Sequence, residues 1–187
     1  MPFATQFDEL QTASVSFMIP LGIAIATSVR VGQAVGAENI GDAGLAGSMG
    51  MLVCSAVMSF FAILFWLFPT TIVSIFIDST AKENADVVQF AIRFLAIAAM
   101  FQIVDGLQVA ASNALRGLKD TTAAMVLTLI SYWGLGVPAG ALMCFVFEWR
   151  GLGLWLGMTV GLAAAALLLA IRFRQQISLR MESITAL

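Results

Sequence analysis

Charged residues fall in clusters along this chain, and the stretches between clusters are almost wholly apolar. Leu10–Val29, Ala43–Ile77, Thr121–Phe147 and Gly151–Ile171 contain no formally charged residue. At a rise of about 1.5 Å per residue, roughly 20 apolar residues cross a hydrocarbon layer about 30 Å thick. Each gap is long enough to do so. A fifth stretch, Val87–Leu115, is equally apolar apart from Arg93 and Asp105. The pattern predicts five transmembrane helices, at approximately residues 4–35, 43–77, 84–115, 121–147 and 151–173. They are helices because lipid offers no partner to the open backbone of an isolated strand. Ala43–Ile77 is too short to turn back and cross twice, so it reads as one long tilted helix with Pro69 near its end. The connections Gly36–Asp42, Asp78–Asn84, Arg116–Asp120 and Glu148–Gly151 are short and carry turn and cap residues. None is long enough to separate domains, so residues 1–187 read as a single transmembrane domain.

Composition agrees with the pattern. The chain is 60% hydrophobic and 11% charged, with a mean hydropathy of +0.97, whereas soluble domains average about 25% charged residues. So little charge cannot clothe a surface in water, and a net charge of −2 gives no footing on a phosphate backbone, so no nucleic acid is expected as a partner. Cys54 and Cys144 lie inside apolar runs and read as small buried hydrophobes. Histidine, the commonest general base and metal ligand, is absent. No hydrolase, Walker A, zinc or dinucleotide motif occurs, so neither an enzyme nor an organic cofactor is expected. The basic residues set an orientation. Arg30, Arg116, Lys119, Arg172, Arg174 and Arg180 fall on one face, against Lys82, Arg150 and Arg93 on the other. The positive-inside rule then places the C-terminus in the cytoplasm and the N-terminus outside. An odd number of spans with an outside start and no signal peptide suggests a chain shortened at its beginning.

Asp105 is the residue most open to function. It stands in the middle of Ala96–Val109, where insertion of an Asp costs about 2.5–3.5 kcal/mol, so it should face protein or water rather than lipid. A carboxyl there can exchange a proton, or hold Na⁺ with nearby neutral oxygens. The plain alternative is a structural Asp bonded to a neighbouring helix. Gln102 and Gln108 stand three residues before and after it, and Phe101 four before, so they share part of its face. Arg93, earlier on the same helix, reads as a residue that snorkels to the headgroups. Pro20 and Pro138 interrupt two apolar helices and should kink them, for ion sites and gating or for packing alone. Gly153, Gly157 and Gly161, with Gly136 and Gly140, have the four-residue step that lets helices approach closely. The first helix begins with Gln6, Gln11, Thr12, Ser14 and Ser16, which read as interhelical glue or a cavity lining.

Four strings, in order, resemble the MATE (multidrug and toxic compound extrusion) transporters, most closely their bacterial NorM-type branch. They are Phe17–Gly22 with Val29–Ala37, Phe101–Thr121 around Asp105, Ser131–Gly140, and Gly151–Gly157. The resemblance covers about residues 4–175. It implies an all-α membrane protein, here a five-helix transmembrane bundle matching helices eight to twelve, most of the second lobe of a two-lobed transporter. The implied activity is export of small cationic organic compounds, drugs among them, across a bacterial inner membrane in exchange for Na⁺ or H⁺. Asp105 then falls on the acidic residue that couples the cation, and Gln11 falls where relatives line the cavity. Phe101 stands where some Na⁺-coupled relatives have Tyr. The other partners implied are the lipid bilayer and the helices of an N-terminal lobe. The alternative is a non-transporting fragment, or a packing subunit that requires a separate N-terminal lobe.

Overall fold

A computed structural model describes residues 3–76, 85–147 and 150–185. Side chains of residues 3–17 and of a few positions near the ends of three helices, Arg93 among them, lie outside the described residues. The elements in chain order are α1 (Phe3–Gly36), α2 (Ile40–Leu67), α3 (Pro69–Phe76), α4 (Ala85–Gly117), α5 (Thr121–Leu129), α6 (Val137–Ala141) and α7 (Arg150–Thr185). Two π-helical stretches, Ile130–Gly136 and Leu142–Val146, flank α6 and join it into one rod with α5. No strand occurs among the described residues.

Four stretches are long and apolar enough to cross a membrane: Met18–Gly36, Ile40–Leu67, Thr121–Val146 and Gly153–Ser183. The 33 residues of α4 also exceed a bilayer's thickness, and because it carries Asp105 it depends on its neighbours for shielding. It lies at the centre of the bundle, against α1 and α2 on one side and α7 on the other, while α7 carries the α5–α6 rod. The core follows α4. Ala110, Ala111, Ala114 and Leu115 are buried against Val31, Ala43, Met51, Cys54, Leu169 and Phe173. Alanine and glycine on α4 let the larger side chains of its neighbours reach in. A Cβ at Gly106 would strike Met58, and one at Gly117 would come within 2.7 Å of the Ser28 carbonyl.

Two tight turns have the same construction. α1 and α4 both end with a non-glycine residue in the left-handed region, Glu38 (φ 59°) and Lys119 (φ 61°). Asn39 N–H donates to Ala34 O and Asp120 N–H to Leu115 O, closing a Schellman cap at each end. The next residue opens the following helix. Asn39 caps α2 through its side chain, accepting from Asp42 N–H at 3.1 Å. Asp120 stands at the same place before α5 but makes no cap bond. Its carboxylate accepts instead from Arg172 Nε at 2.9 Å.

Three boundaries differ from the sequence expectation. The apolar run 43–77 is two helices, α2 and α3, and not one. Pro69 disfavours helical geometry in the residue before it, and Phe68 sits at φ −124°, ψ 45°. The last helix does not stop near residue 173 but runs on to Thr185. Charge ends a membrane-buried stretch without ending a helix, and this extension is tied down: Arg180 donates to Leu118 O at 2.8 Å, and the Phe173 ring fills the space over Gly47. The run 121–147 is helical throughout but not uniformly α.

Backbone packs directly on backbone where α7 meets the α5–α6 rod. A Cβ at Gly157 would land on Gly140, and one at Gly136 would lie 3.1 Å from Gly161 Cα. Gly22, by contrast, has nothing within 4 Å. The same substitution should therefore have opposite signs at the two places. Gly157→Ala should destabilise by about 1–3 kcal/mol through overpacking, whereas Gly22→Ala should be neutral or stabilising by up to about 1 kcal/mol. Unfolding in detergent micelles, followed by circular dichroism, measures both.

Candidate ion and substrate site

Asp105 stands on α4, the helix packed against α1, α2 and α7. The residue is half-buried, and among the described residues no N–H or O–H donor meets its carboxylate. Its neighbour Gly106 is buried against α2, with the Cys54 carbonyl and the Met58 side chain over the missing Cβ. The Cys54 thiol donates to the Pro20 carbonyl at 3.7 Å.

A cleft of about 740 Å³ runs between α4 and the α5–α6 rod. Gln108, Ser112 and Arg116 line it from α4, and Thr121, Thr122, Thr128, Tyr132 and Trp133 from the rod, with Met125 and Leu129 among the apolar members. Gln108 stands one helical turn along α4 from Asp105, and at its other end the cleft reaches Arg116 and Thr121 on either side of the turn between α4 and α5. A polar groove of this kind can admit water to membrane depth, where a carboxylate needs it.

The residues picked out in the sequence are distributed differently from one another. Gln108 lies on the cleft wall. Gln102 turns inward, and its Nε2 is buried without a hydrogen-bond partner. Phe101 stacks edge-on against Trp155 of α7, with ring centroids 6.2 Å apart. Gln11 belongs to α1, but its side chain lies outside the described residues. Pro20 is buried within a continuous α1, and Pro138 opens α6 between the two π stretches. Cys54, whose carbonyl packs over Gly106, and Tyr132, on the cleft wall, were not among the candidates. Cys54 resembled any apolar-run cysteine. Tyr132 did leave a signal, as the one tyrosine of the sequence, set among hydrophobic residues.

The MatE family model matches residues 9–142, a span that includes α1 to α6. The chain belongs to the MatE family. Two similar relatives are both named "Probable multidrug resistance protein NorM". The one from Brucella suis is 41% identical over 90% of this chain and 36% of its own length. The one from Deinococcus radiodurans is 44% identical over 88% of this chain and 36% of its own. The MatE chain described here thus spans about a third of the curated relatives it matches. Among solved structures, the eukaryotic MATE transporter AtDTX14 superposes with a TM-score of 0.77 at 26% identity, over 94% of this chain and 39% of that one. An inward-facing multidrug resistance MATE family transporter gives 0.80 at 17% identity, over 96% and 40%, which speaks for the fold.

Gln102 offers a direct check on the site. A buried amide donor without an acceptor costs about 1–3 kcal/mol. Gln102→Leu should accordingly raise the midpoint of thermal unfolding in micelles. A lower midpoint would mean that the amide is satisfied in solution.

Proposed function

We propose that this chain forms most of the ion-coupling second lobe of an antiporter that exports small cationic organic compounds in exchange for Na⁺ or H⁺. The observation that carries the reading is Asp105. It is a half-buried carboxylate, unmet by any donor among the described residues, at mid-helix in α4 beside a polar cleft. A structural Asp would hold a donor from a neighbouring helix. One without such a donor is free to take up and release a cation. Ligands for Na⁺ would be the carboxylate and neutral oxygens near it, and a proton would need the carboxylate alone. The names of the NorM relatives and of the solved MATE structures support efflux as the overall activity.

Alternating access follows from two bodies that rock about a shared site. This bundle is one such body, and the cleft between α4 and the α5–α6 rod opens along its side. The proposed partner is therefore an N-terminal lobe of further transmembrane helices, the two together lying in the bacterial inner membrane with the C-terminus of this chain in the cytoplasm. α4 is the element whose packing responds to the occupancy of Asp105, because charge on that carboxylate changes what its surroundings must solvate.

The test joins the chain to the N-terminal lobe of a NorM relative in a drug-hypersensitive bacterium, and reads efflux of a fluorescent organic cation. The joined protein should extrude the dye, and Asp105→Asn should abolish extrusion at equal membrane abundance. Undiminished efflux by the Asn variant would remove Asp105 from the mechanism. Efflux by the chain without the added lobe would remove the need for a second body.

A further inference from the structure

Two rows of side chains, each repeating every four residues, bound the cleft between α4 and the rod. Gln108, Ser112 and Arg116 make the row on α4. Thr121, Met125 and Leu129 make the row on α5, and Trp133 continues it into the first π stretch. A four-residue step returns to nearly the same helix face, so each row is a continuous stripe along its helix. The two stripes differ. The one on α4 is polar throughout. The one on the rod is polar only at Thr121, with Thr122 beside it, and then turns apolar. Met125, Leu129 and Trp133 are all more than half exposed.

Depth gives that division a meaning. Thr121 opens the membrane span Thr121–Val146, so the end of the cleft at Arg116 lies at headgroup level and the Met125–Trp133 stripe lies in the hydrocarbon. Arg116 brings an uncompensated charge to the headgroup end. No Asp or Glu lines the cleft. The acid closest to it in the turn, Asp120, is held by Arg172 Nε at 2.9 Å. Among the described residues the Arg116 guanidinium has neither an ion pair nor a hydrogen bond. A cationic compound would be repelled from this end, so it suits an anion.

We propose that the outer end of the cleft is a binding site for an anionic phospholipid with a phosphoglycerol headgroup. Arg116 takes the phosphate, which a guanidinium binds in a two-pronged, charge-assisted geometry. The hydroxyls of Ser112, Thr121 and Thr122 surround the headgroup and can bond its glycerol. One acyl chain lies along Met125, Leu129 and Trp133, covering apolar surface that the bundle leaves open. A net negative headgroup is favoured over a zwitterionic one because the lipid's own ammonium would otherwise compete with Arg116 for the phosphate. The site stands apart from the proposed antiport. It needs neither Asp105 nor an exported cation, and it gives the turn between α4 and α5 a lipid partner.

Native mass spectrometry of the full 187-residue chain, released from micelles doped with equimolar phosphatidylglycerol and phosphatidylethanolamine, tests this. One phosphatidylglycerol should stay bound in preference to phosphatidylethanolamine. Arg116→Gln should weaken that binding about tenfold, as loss of a charge-assisted hydrogen bond does. Arg174→Gln, which removes an exposed cation that does not line the cleft, should leave it unchanged. Leu129→Ser should weaken it several-fold through the acyl chain. Arg116 is exposed, so helicity by circular dichroism should be unaltered in its variant. Thr122→Val, also at an exposed position, gives a second, uncharged reading of the headgroup site and should weaken binding as well. No preference between the two lipids, or equal losses in Arg116→Gln and Arg174→Gln, would overturn the site. Displacement of the lipid by millimolar glycerol phosphate, with no effect of Leu129→Ser, would show a soluble anion to be the occupant and overturn the lipid. A dimer that excludes the lipid would make the cleft an interface between copies and would overturn it too.

Discussion

A carboxylate inside a hydrocarbon layer has to be given protein or water, and the arrangement of this bundle follows from that requirement. α4 is the span that carries Asp105, and it is the span enclosed by the others, with α1 and α2 on one side and α7 on the other. The helices around it carry their charges near their ends and present long apolar stretches, so they can take lipid on their outer faces. Exposed Met18, Leu52, Phe60, Ile63 and Phe145 are what such faces look like. Where α4 is not covered by a helix it borders the cleft, whose wall mixes hydroxyl, amide and aromatic groups with Met125 and Leu129.

Enclosure at close range depends on small residues. Between helices in lipid there is little hydrophobic driving force, so packing contacts have to hold the bundle together. The α4 face is built from Ala110, Ala111, Ala114 and Gly106, and the α7 face from Gly153, Gly157 and Gly161. Each lets the neighbouring backbone approach until a Cβ would no longer fit.

The turn after α4 joins packing to polarity at the other end of the molecule. Arg172 takes the Asp120 carboxylate and Arg180 the Leu118 carbonyl, so the extension of α7 closes over the connection from α4 to α5. The ion pair is partly exposed, with side chains 34% and 18% accessible, and pairs of that kind contribute about 0–1 kcal/mol. Its importance is positional. It engages the one acid of that turn and leaves Arg116 on the cleft wall as the cation at its outer end.

Much of this was legible in the sequence for a simple reason: hydrocarbon selects by composition, and composition is local. Charge-free runs marked the spans, their clusters marked the turns, and a lone Asp in Ala96–Val109 marked the polar helix, all without knowledge of any contact. The four-step glycines likewise announced close approach. What composition could not show is direction. Phe101, Gln102 and Gln108 share a stretch of helix with Asp105, yet one packs on Trp155, one is buried and one lines the cleft, because each meets a different neighbour. The break at Phe68 and the continuation of α7 past Phe173 were decided by backbone geometry and by anchors on distant turns. Cys54 came to lie against Gly106, the neighbour of Asp105, only when α2 folded against α4. A sequence records which residues tolerate the membrane, whereas which of them face one another is settled by helices packing side by side.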